Sequence, residues 1–597
     1  MNRVILYVFF TLAASLKLIF VSQLLLTELS KGAILVSVGF SMVLFSAMYL
    51  FKKYWIWYGI SAASGISLYT WASYLYMVYF QAPFSTYITL QASNLSGMSE
   101  SIFNQLAWWQ FAFFFDVMLV MGFLVYMRRQ KNSLEVHRNF KVLGLITILA
   151  VLLVSLKPAS MYLNDMGNLL LKKYTSTSYI GNYGIVGHQV IDFLEFTTSQ
   201  QELELSAEEI DDIHNFLSSN ENISKREEPL LEAGIFEGKN LLLIQFESLQ
   251  QFVLGAKVND QEITPNLNKW LGSSISFNHY YPQTAEGNSS DAELLVLNSI
   301  YPLKEGSTFF RYPVAEYPSL AKHFSSLGYT TTAFHGDEGS FWNRDLVYPS
   351  MGFERYYDIT DFQNVKTNEI GMGLSDQTFF EQTADTIKNQ KEPYFSMLIT
   401  LTSHTPFHIP EDKKLLDTGE LKGTQLGNYF ESIHYTDRHL GAFLNNLKEN
   451  GELENTVVAI YGDHNGIFKE SKSEVERWRK EEITDESWKL TYTPVPFIMI
   501  DTSLSESGVV SDVMGQVDTT PTLLDWFGFS PDTYESYALG HNMNRYVNKD
   551  VFLLRGDYGE SIVIGNDGRI SEYEPVHSET LEISERLIKS NFLVNHY

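Results

Sequence analysis

The sequence predicts a bundle of five transmembrane helices followed by an extracellular α/β domain. Three observations carry that expectation. Five long apolar stretches lie in the first 157 residues, short β-branched segments alternate with amphipathic ones beyond residue 236, and the charge reverses between the two parts. Residues 1–157 hold 11 Lys and Arg against 4 Asp and Glu, yet the 597-residue chain has a net charge of -27. The second part is therefore strongly acidic. That excludes a nucleic-acid partner, whose phosphates require cationic neutralisation. The absence of Cys excludes disulfides, thiol catalysis and Cys-ligated zinc, and leaves the compartment open.

The apolar stretches run at 4–26, 33–51, 56–80, 107–127 and 140–157. Each is about long enough to cross a hydrocarbon core of ~30 Å. The first is too long, and too closely followed by others, to be a signal peptide. Lys52 and Lys53 follow the second stretch, and Arg128, Arg129, Lys131, Arg138 and Lys141 separate the fourth from the fifth. The loop 81–106 has neither Lys nor Arg. Positive charge stays on the cytoplasmic side, so the N-terminus is expected inside and everything after Lys157 outside. Lys17 and Asp116 fall inside apolar stretches, where a charge is costly and marks either a function or a partner. The plainer reading has Lys17 snorkelling and Asp116 paired or protonated within the bundle.

Residues 158–235 read as a linker. "YIGNYGIVGHQVIDFLEF" turns amphipathic and suits an interfacial helix, and an acidic, helix-prone segment follows. Residues 236–597 read as the extracellular catalytic domain. "NLLLIQFES", "GYTTTAFHGD", "PYFSMLITLTSH", "NTVVAIYGDH" and "PVPFIMID" are strand-like runs separated by helical segments, which indicates a largely parallel sheet. Glu247, His335, Asp337, His404, Asp463 and His464 stand where these runs end. Ligands of open α/β sheets bind outside the carboxyl ends of the strands, so these residues are expected to share one site.

Two carboxylates and an imidazole, Glu247, Asp463 and His464, offer the oxygen and nitrogen donors that suit Mn²⁺, Mg²⁺ or Zn²⁺. The segment "AEGNSSDAELLVLNS" (285–299) places hydroxyls at the start of a helix. One bland reading is a helix cap. The other makes Ser289 both fourth ligand and nucleophile, activated by the ion and by the positive end of the helix. Ser290 is the rival nucleophile. His279, His323, His408, His434 and His541 read as surface, loop or supporting residues, and 469–482 as a solvated helix face or flap.

The motifs "FESLQ" (246–250), "GNSSDAE" (287–293), "FHGDEGSFWNRD" (334–345), "LTSHTPF" (401–407), "YGDHNG" (461–466) and "VPFIMI" (495–500) together resemble the lipoteichoic acid synthases. These are membrane-anchored phosphoglycerol transferases of the alkaline phosphatase and sulfatase superfamily. The resemblance covers nearly the whole chain and implies a sulfatase-like fold for the outer domain. It implies Glu247, Ser289, Asp463 and His464 as ligands of one ion, usually Mn²⁺ with Mg²⁺ as the substitute, and Ser289 as the nucleophile. It also implies a head-group pocket of His335, Asp337, Trp342, Arg344 and His404. There Arg344 would grip phosphate with a bidentate fork, Trp342 would pack the glycerol carbons and Asp337 would accept a glycerol hydroxyl. His404 would protonate the leaving alkoxide or bond a phosphoryl oxygen. Taken singly, Trp342 and His335 also fit plain core positions. The family usually has "GKTSD" where this chain has "GNSSD", so Asn288 and Ser289 stand in place of Lys and Thr.

The activity implied is transfer of glycerophosphate from phosphatidylglycerol to a polyglycerophosphate chain or glycolipid anchor, through a covalent seryl intermediate, with release of diacylglycerol. The location implied is the cell membrane of a Gram-positive type bacterium. Adjacent readings are a primase that adds only the first unit and a phosphoethanolamine transferase with a pocket suited to an amine. A sulfatase would need a Cys or Ser in a C/S-x-P-x-R-like motif, and "SSDAE" has neither the Pro nor the Arg. A non-catalytic scaffold would predict a broken ligand set.

Overall fold

The computed structural model describes residues 3–24, 29–80, 83–89, 106–129, 139–163, 176–198, 203–218, 223–304, 306–504, 507–554, 562–572, 575–590 and 592–593. The chain divides into two compact units, one holding essentially residues 1–88 and 102–201 and the other 202–557 and 561–597.

The first unit is helical. The five apolar stretches form α1 (Arg3–Leu24), α2 (Lys31–Ser46), α3 (Trp55–Phe80), α4 (Phe115–Arg129) and α5 (Phe140–Leu163). Four spans among the described residues are long and apolar enough to cross a membrane: Arg3–Leu24, Lys31–Leu50, Trp108–Val125 and Phe140–Ser160. Four of the five expected spans are thus supported among the described residues, and α3 is not one of the four. At 26 residues it is long enough, but it is built largely from Trp, Tyr, Ser, Gly and Thr, and its Tyr69 and Trp71 hydrogen-bond Gln189 and Gln110. The Gly39 face of α2 lies against Val154 and Ala150 of α5 so closely that a Cβ would clash, the small-residue contact typical of membrane helices. The stretch read as interfacial forms α6 (Ser176–Thr198), which breaks at Gly184 (φ +69°) and packs on α1 and α2. The cationic residues Lys131 and Arg138, and most of the loop 81–106, lie outside the described residues.

Lys17 does not snorkel. Its Nζ lies 2.6 Å from Asp116 Oδ1 and donates to Ser67 Oγ at 2.7 Å. The two intramembrane charges pair with one another and join α1, α3 and α4.

The second unit opens with α7 (Ala207–Leu217), started by a reciprocal capping box of Ser206 and Glu209. Its centre is a nine-stranded sheet: β1 (Asn240–Phe246), β2 (Ser274–Tyr281), β3 (Thr330–His335), β4 (Arg355–Tyr357), β5 (Tyr394–Ile399), β6 (Thr456–Gly462), β7 (Val495–Ile500), β8 (Gly508–Val510) and β9 (Met514–Gly515). The order is β8-β2-β7-β6-β1-β5-β3-β4, with β9 also on β2. Strands β6, β1, β5, β3 and β4 run parallel, and β7 is antiparallel to both β6 and β2. Every residue of β1, β5, β6 and β7 is buried, as continuous apolar runs require of a sheet covered on both faces. Among the covering helices are α8 (Ser289–Asn298), α9 (Asp376–Lys388) and α10 (Gln425–Glu449). The charge run 469–482 is more than a solvated face: the helix Lys472–Arg479 buries Val475, and Trp478 packs on Phe430 and Phe252.

Candidate active site

The parallel strands deliver their polar ends to one edge of the sheet. Glu247 follows β1. Its N–H donates to Thr400 Oγ1 at 2.9 Å and its carbonyl accepts Ser403 Oγ at 2.7 Å, so the exit of β5 holds the exit of β1. Asp463 follows β6. Its Oδ1 accepts the N–H groups of Ser248 at 2.7 Å and His464 at 2.8 Å. Its Oδ2 is buried with no hydrogen-bond partner.

His464 has a defined tautomer. Nδ1 lies 3.1 Å from the Asn465 carbonyl, which can only accept, so Nδ1 carries the proton. Nε2 therefore faces Ser289 Oγ at 3.2 Å, Glu247 Oε1 at 3.4 Å and Asp463 Oδ2 at 3.4 Å, and offers a lone pair there when the ring is neutral. Among the described residues, Glu247, Asp463 and His464 are the one group of three His, Asp or Glu whose donor atoms converge, all within 4.8 Å of one another.

Ser289 is the first residue of α8, and its Oγ donates to Glu247 Oε2 at 3.1 Å. The preceding loop is shaped by Asp291, whose Oδ2 accepts the N–H groups of Ala285 at 2.9 Å and Gly287 at 2.8 Å. A Cβ on Gly287 would collide with that carboxylate. Asn288 takes φ +43° and ψ -112°, a sparsely populated conformation outside the left-handed helical region. The rival Ser290 turns away: its Oγ donates to the Gly287 carbonyl at 2.8 Å and lies 3.1 Å from Ser307 Oγ.

These groups share proton and charge. Burial and the neighbouring Glu247 carboxylate push the Asp463 pKa up. Burial opposes ionisation of Glu247 too, but the His464 charge holds its pKa below the usual carboxylate range. Burial works against His464, and Asp463 and Glu247 outweigh it, raising the imidazole pKa. The donor set thus attracts positive charge, and a proton fills that role when no cation does. An orphaned buried carboxylate oxygen, a second carboxylate, a hydroxyl and an imidazole with Nε2 free and Nδ1–H fixed by a carbonyl fit a divalent ion of mixed O/N preference.

The expected head-group residues surround this cluster. His335 ends β3, with Nδ1 3.1 Å from the Ile399 carbonyl. Burial and the Arg344 charge push its pKa down to about 3, so it is neutral. His404 Nδ1 lies 2.6 Å from the Thr405 carbonyl, and burial lowers its pKa as well. Its single proton is committed to that carbonyl, leaving Nε2 an acceptor. This differs from the proton donation expected of it. Asp337 Oδ1 accepts the Glu338 N–H at 2.7 Å, while Oδ2 is buried without a partner, and burial pushes the carboxyl up to about 6. A cavity of about 420 Å³ opens beside Asp337, lined also by Phe341, Phe362 and Lys366. Trp342 packs against Phe310, ring centroids 5.4 Å apart, and holds φ +59°, followed by Asn343 at +53°. Left-handed backbone at a bulky residue is strained and recurs at functional sites.

Arg344 departs from expectation. Its Nε donates to both oxygens of Glu293 at 3.1 and 3.2 Å, and its Nη2 donates to Glu293 Oε1 at 2.5 Å. The bidentate fork is spent on this carboxylate, and Nη1 alone is buried without a partner. Glu293 escaped the sequence reading, Asp291 was read there only as part of a helix cap, and so the fold adds Glu293 and Asp376. The last accepts the N–H groups of Leu401 at 2.8 Å and Thr402 at 3.1 Å and the Thr436 hydroxyl at 2.6 Å, which fixes the loop leading to His404. The only sequence signal for these three was a carboxylate in the first turn or two of a helix. His279, His323 and His434 bond elsewhere, to the Ser511 carbonyl, Tyr537 and the Ile263 carbonyl.

Known proteins share this arrangement of parts. Residues 239–529 match the sulfatase family and residues 1–205 match the lipoteichoic acid synthase N-terminal domain. Lipoteichoic acid synthase 1 of Bacillus subtilis (strain 168) is 29% identical over 481 residues, 80% of this chain and 72% of that protein. Lipoteichoic acid synthase of Staphylococcus aureus (strain USA300) is 29% identical over 508 residues, 82% of this chain and 77% of that protein. The crystal structure of the lipoteichoic acid synthase LtaP from Listeria monocytogenes is similar with a TM-score of 0.54 at 27% identity, over 65% of this chain and 98% of that one. With both domains matched in order and relatives aligned over most of its length, the chain carries the lipoteichoic acid synthase N-terminal domain followed by a sulfatase domain, the same pair of parts in the same order.

Proposed function

We propose that the protein is a metal-dependent phosphoglycerol transferase that moves glycerophosphate from phosphatidylglycerol to a polyglycerophosphate chain or glycolipid anchor. In this reading residues 1–157 anchor it in the cell membrane, 158–235 connect, and 236–597 catalyse on the outer side. The observation that carries it is the convergence of Ser289 Oγ on Glu247 Oε2 at 3.1 Å and His464 Nε2 at 3.2 Å at the N-terminus of α8. A divalent ion held by Glu247, Ser289, Asp463 and His464, Mn²⁺ or Mg²⁺, would supply Lewis acidity and lower the pKa of the Ser289 hydroxyl.

Ser289 Oγ loses its proton and bonds to phosphorus while the bond from phosphorus to the diacylglycerol oxygen breaks. The proton that Ser289 gave up ends on the leaving oxygen, so diacylglycerol departs neutral and no net proton is exchanged. An acceptor hydroxyl then attacks phosphorus, and the Oγ–P bond breaks to restore Ser289. His404 serves this second half: its Nε2 lone pair receives the proton of the attacking hydroxyl, and that proton finally returns to Ser289 Oγ as the Oγ–P bond breaks. Neutral His335 and Asp337 Oδ2 orient the glycerol hydroxyls, and Trp342 covers the carbons. Ser replaces the more usual Thr without loss of nucleophilic type.

The test is conversion of labelled phosphatidylglycerol by the purified full chain, with and without Mn²⁺, resolved by lipid chromatography, with phosphatidylethanolamine as the competing donor. Expected is Mn²⁺-dependent diacylglycerol release that Ser289→Ala reduces at least ~10³-fold. Undiminished release by Ser289→Ala would overturn the reading.

A further inference from the structure

Arg344 is anchored by a residue with no assigned role. Glu293 lies four positions after Ser289, one turn along α8, and is fully buried. It accepts from Nε and Nη2 of Arg344 and, through Oε2, from the Tyr348 hydroxyl at 2.7 Å. The Arg344 side chain is only 2% exposed. Two of its three guanidinium nitrogens are thereby fixed, and Nη1 is left bare. A buried charged donor without a partner is rare in folded proteins and commonly awaits a ligand. Arg344 lies on the same segment as His335, Asp337 and Trp342, and its charge reaches both His335 and Asp337, the two groups expected to hold the glycerol.

We infer that Glu293 is a positioning residue that holds Arg344 with Nη1 presented to the phosphate of the bound head group, and that it couples this grip to the Ser289 helix. The inference rests on the reading of the donor as a phosphate-bearing head group. Its logic is geometric. The Arg344–Glu293 pair is neutral overall, so its hold on phosphate comes from a directed N–H rather than from surplus charge. Since Glu293 and Ser289 sit on one helix, the grip and the nucleophile keep a fixed spacing.

The test uses the full chain in lipid nanodiscs, with inorganic phosphate and sn-glycerol 1-phosphate as probes in titration calorimetry and Mn²⁺ affinity measured separately. Glu293→Gln keeps the size but replaces an acceptor oxygen with a donor, freeing the guanidinium to turn. Both phosphate probes should bind at least ~10-fold more weakly while Mn²⁺ affinity changes less than twofold, and Glu293→Asp should restore part of the loss. Unchanged phosphate affinity in the folded variant, or no phosphate binding by the wild-type chain, would overturn the inference. A merely structural Glu293 would lower the melting temperature and leave phosphate affinity alone. Should Glu293→Gln not fold, Tyr348→Phe decides, because it removes one hydrogen bond from the same carboxylate. A two- to threefold weakening supports the inference and none refutes it. Absence of phosphatidylglycerol turnover in the wild type would sink the functional reading while leaving the phosphate comparison intact.

Discussion

Each unit of the molecule buries an ion pair, and the two pairs are built differently. In the helical unit Lys17 and Asp116 meet through one oxygen at 2.6 Å; among the described residues Ser67 is the one other hydrogen-bond partner of Lys17 and Asp116 Oδ2 has none. In the sheet unit Glu293 takes four hydrogen bonds, three from Arg344 and one from Tyr348. The sparse pair joins three helices and faces nothing but the bundle. The saturated pair leaves one guanidinium nitrogen, Nη1, buried with no hydrogen-bond partner among the described residues. Saturation on the anion side, with a gap on the cation side, is what a ligand site needs. A sparse pair in apolar surroundings instead makes each partner dependent on the other.

Asp463→Asn should give the largest effect and marks the limit of this contrast. The carboxylate is the group most crowded by negative charge, and it stands ready for a cation. Phosphatidylglycerol turnover should fall at least ~10³-fold with loss of bound Mn²⁺. The metal-free variant should nevertheless be as stable as the wild type or more so. Burial and Glu247 raise the Asp463 pKa, so in the neutral range the unfolded chain gives up this proton more readily than the metal-free fold does, and the group works increasingly against that fold as pH rises towards the raised pKa. Melting curves with chelator check this. A clear drop in the metal-free melting temperature would mean that Asp463 is mainly a structural acceptor for Ser248 and His464.

Lys17→Met comes next. It strands Asp116 among apolar helices, and removing one partner of a buried pair is far more damaging than removing both. Thermal unfolding in detergent should show a loss of ~2–4 kcal/mol, with the Lys17→Met/Asp116→Leu double variant recovering most of it. If the single variant is as stable as the wild type, the pair is dispensable and some role other than joining α1, α3 and α4 must explain two charges in that place.

The contrast also explains what the sequence disclosed. Glu247, Asp463 and His464 were legible because each follows a strongly apolar strand, and the carboxyl ends of parallel strands collect ligands whatever the rest of the chain does. Ser289 was legible because a helix start is a local signal. The partner of Glu293 lies 51 residues further along the chain, and that of Lys17 lies 99 residues away. Glu293 sits inside "SSDAELLVL" and reads locally as an ordinary acid near a helix N-terminus. Nothing short of the packed fold shows that an Arg from another segment meets it, or that meeting it uses up the fork expected for phosphate. The His404 tautomer was hidden for the same reason, since it depends on which carbonyl the ring meets.

The smallest effect concerns a half-buried titratable group with no counter-ion among the described residues. His323 sits in the short helix Leu320–Ser326, its Nε2 2.8 Å from the Tyr537 hydroxyl and its ring stacked on Tyr537 and edge-on to Phe529. Burial pushes its pKa down to about 4 from the ordinary 6.5. Above pH 6.5 the ring is neutral in both folded and unfolded chains and costs nothing. As pH falls from 6.5 towards 4 the unfolded chain takes up the proton first, so stability declines and then levels off once the folded ring is also charged. One pKa unit corresponds to about 1.4 kcal/mol, and partial exposure reduces the sum, leaving an acid penalty of roughly 2 kcal/mol from this group. His323→Gln keeps a polar contact for Tyr537 and removes the titration. Denaturant melts of both proteins at pH 7 and pH 4 should therefore show the stability gap between them shifting by that amount in favour of the variant. A gap that stays constant would show that His323 takes up its proton within the fold as readily as outside it, and that burial without a counter-ion is not what governs this ring.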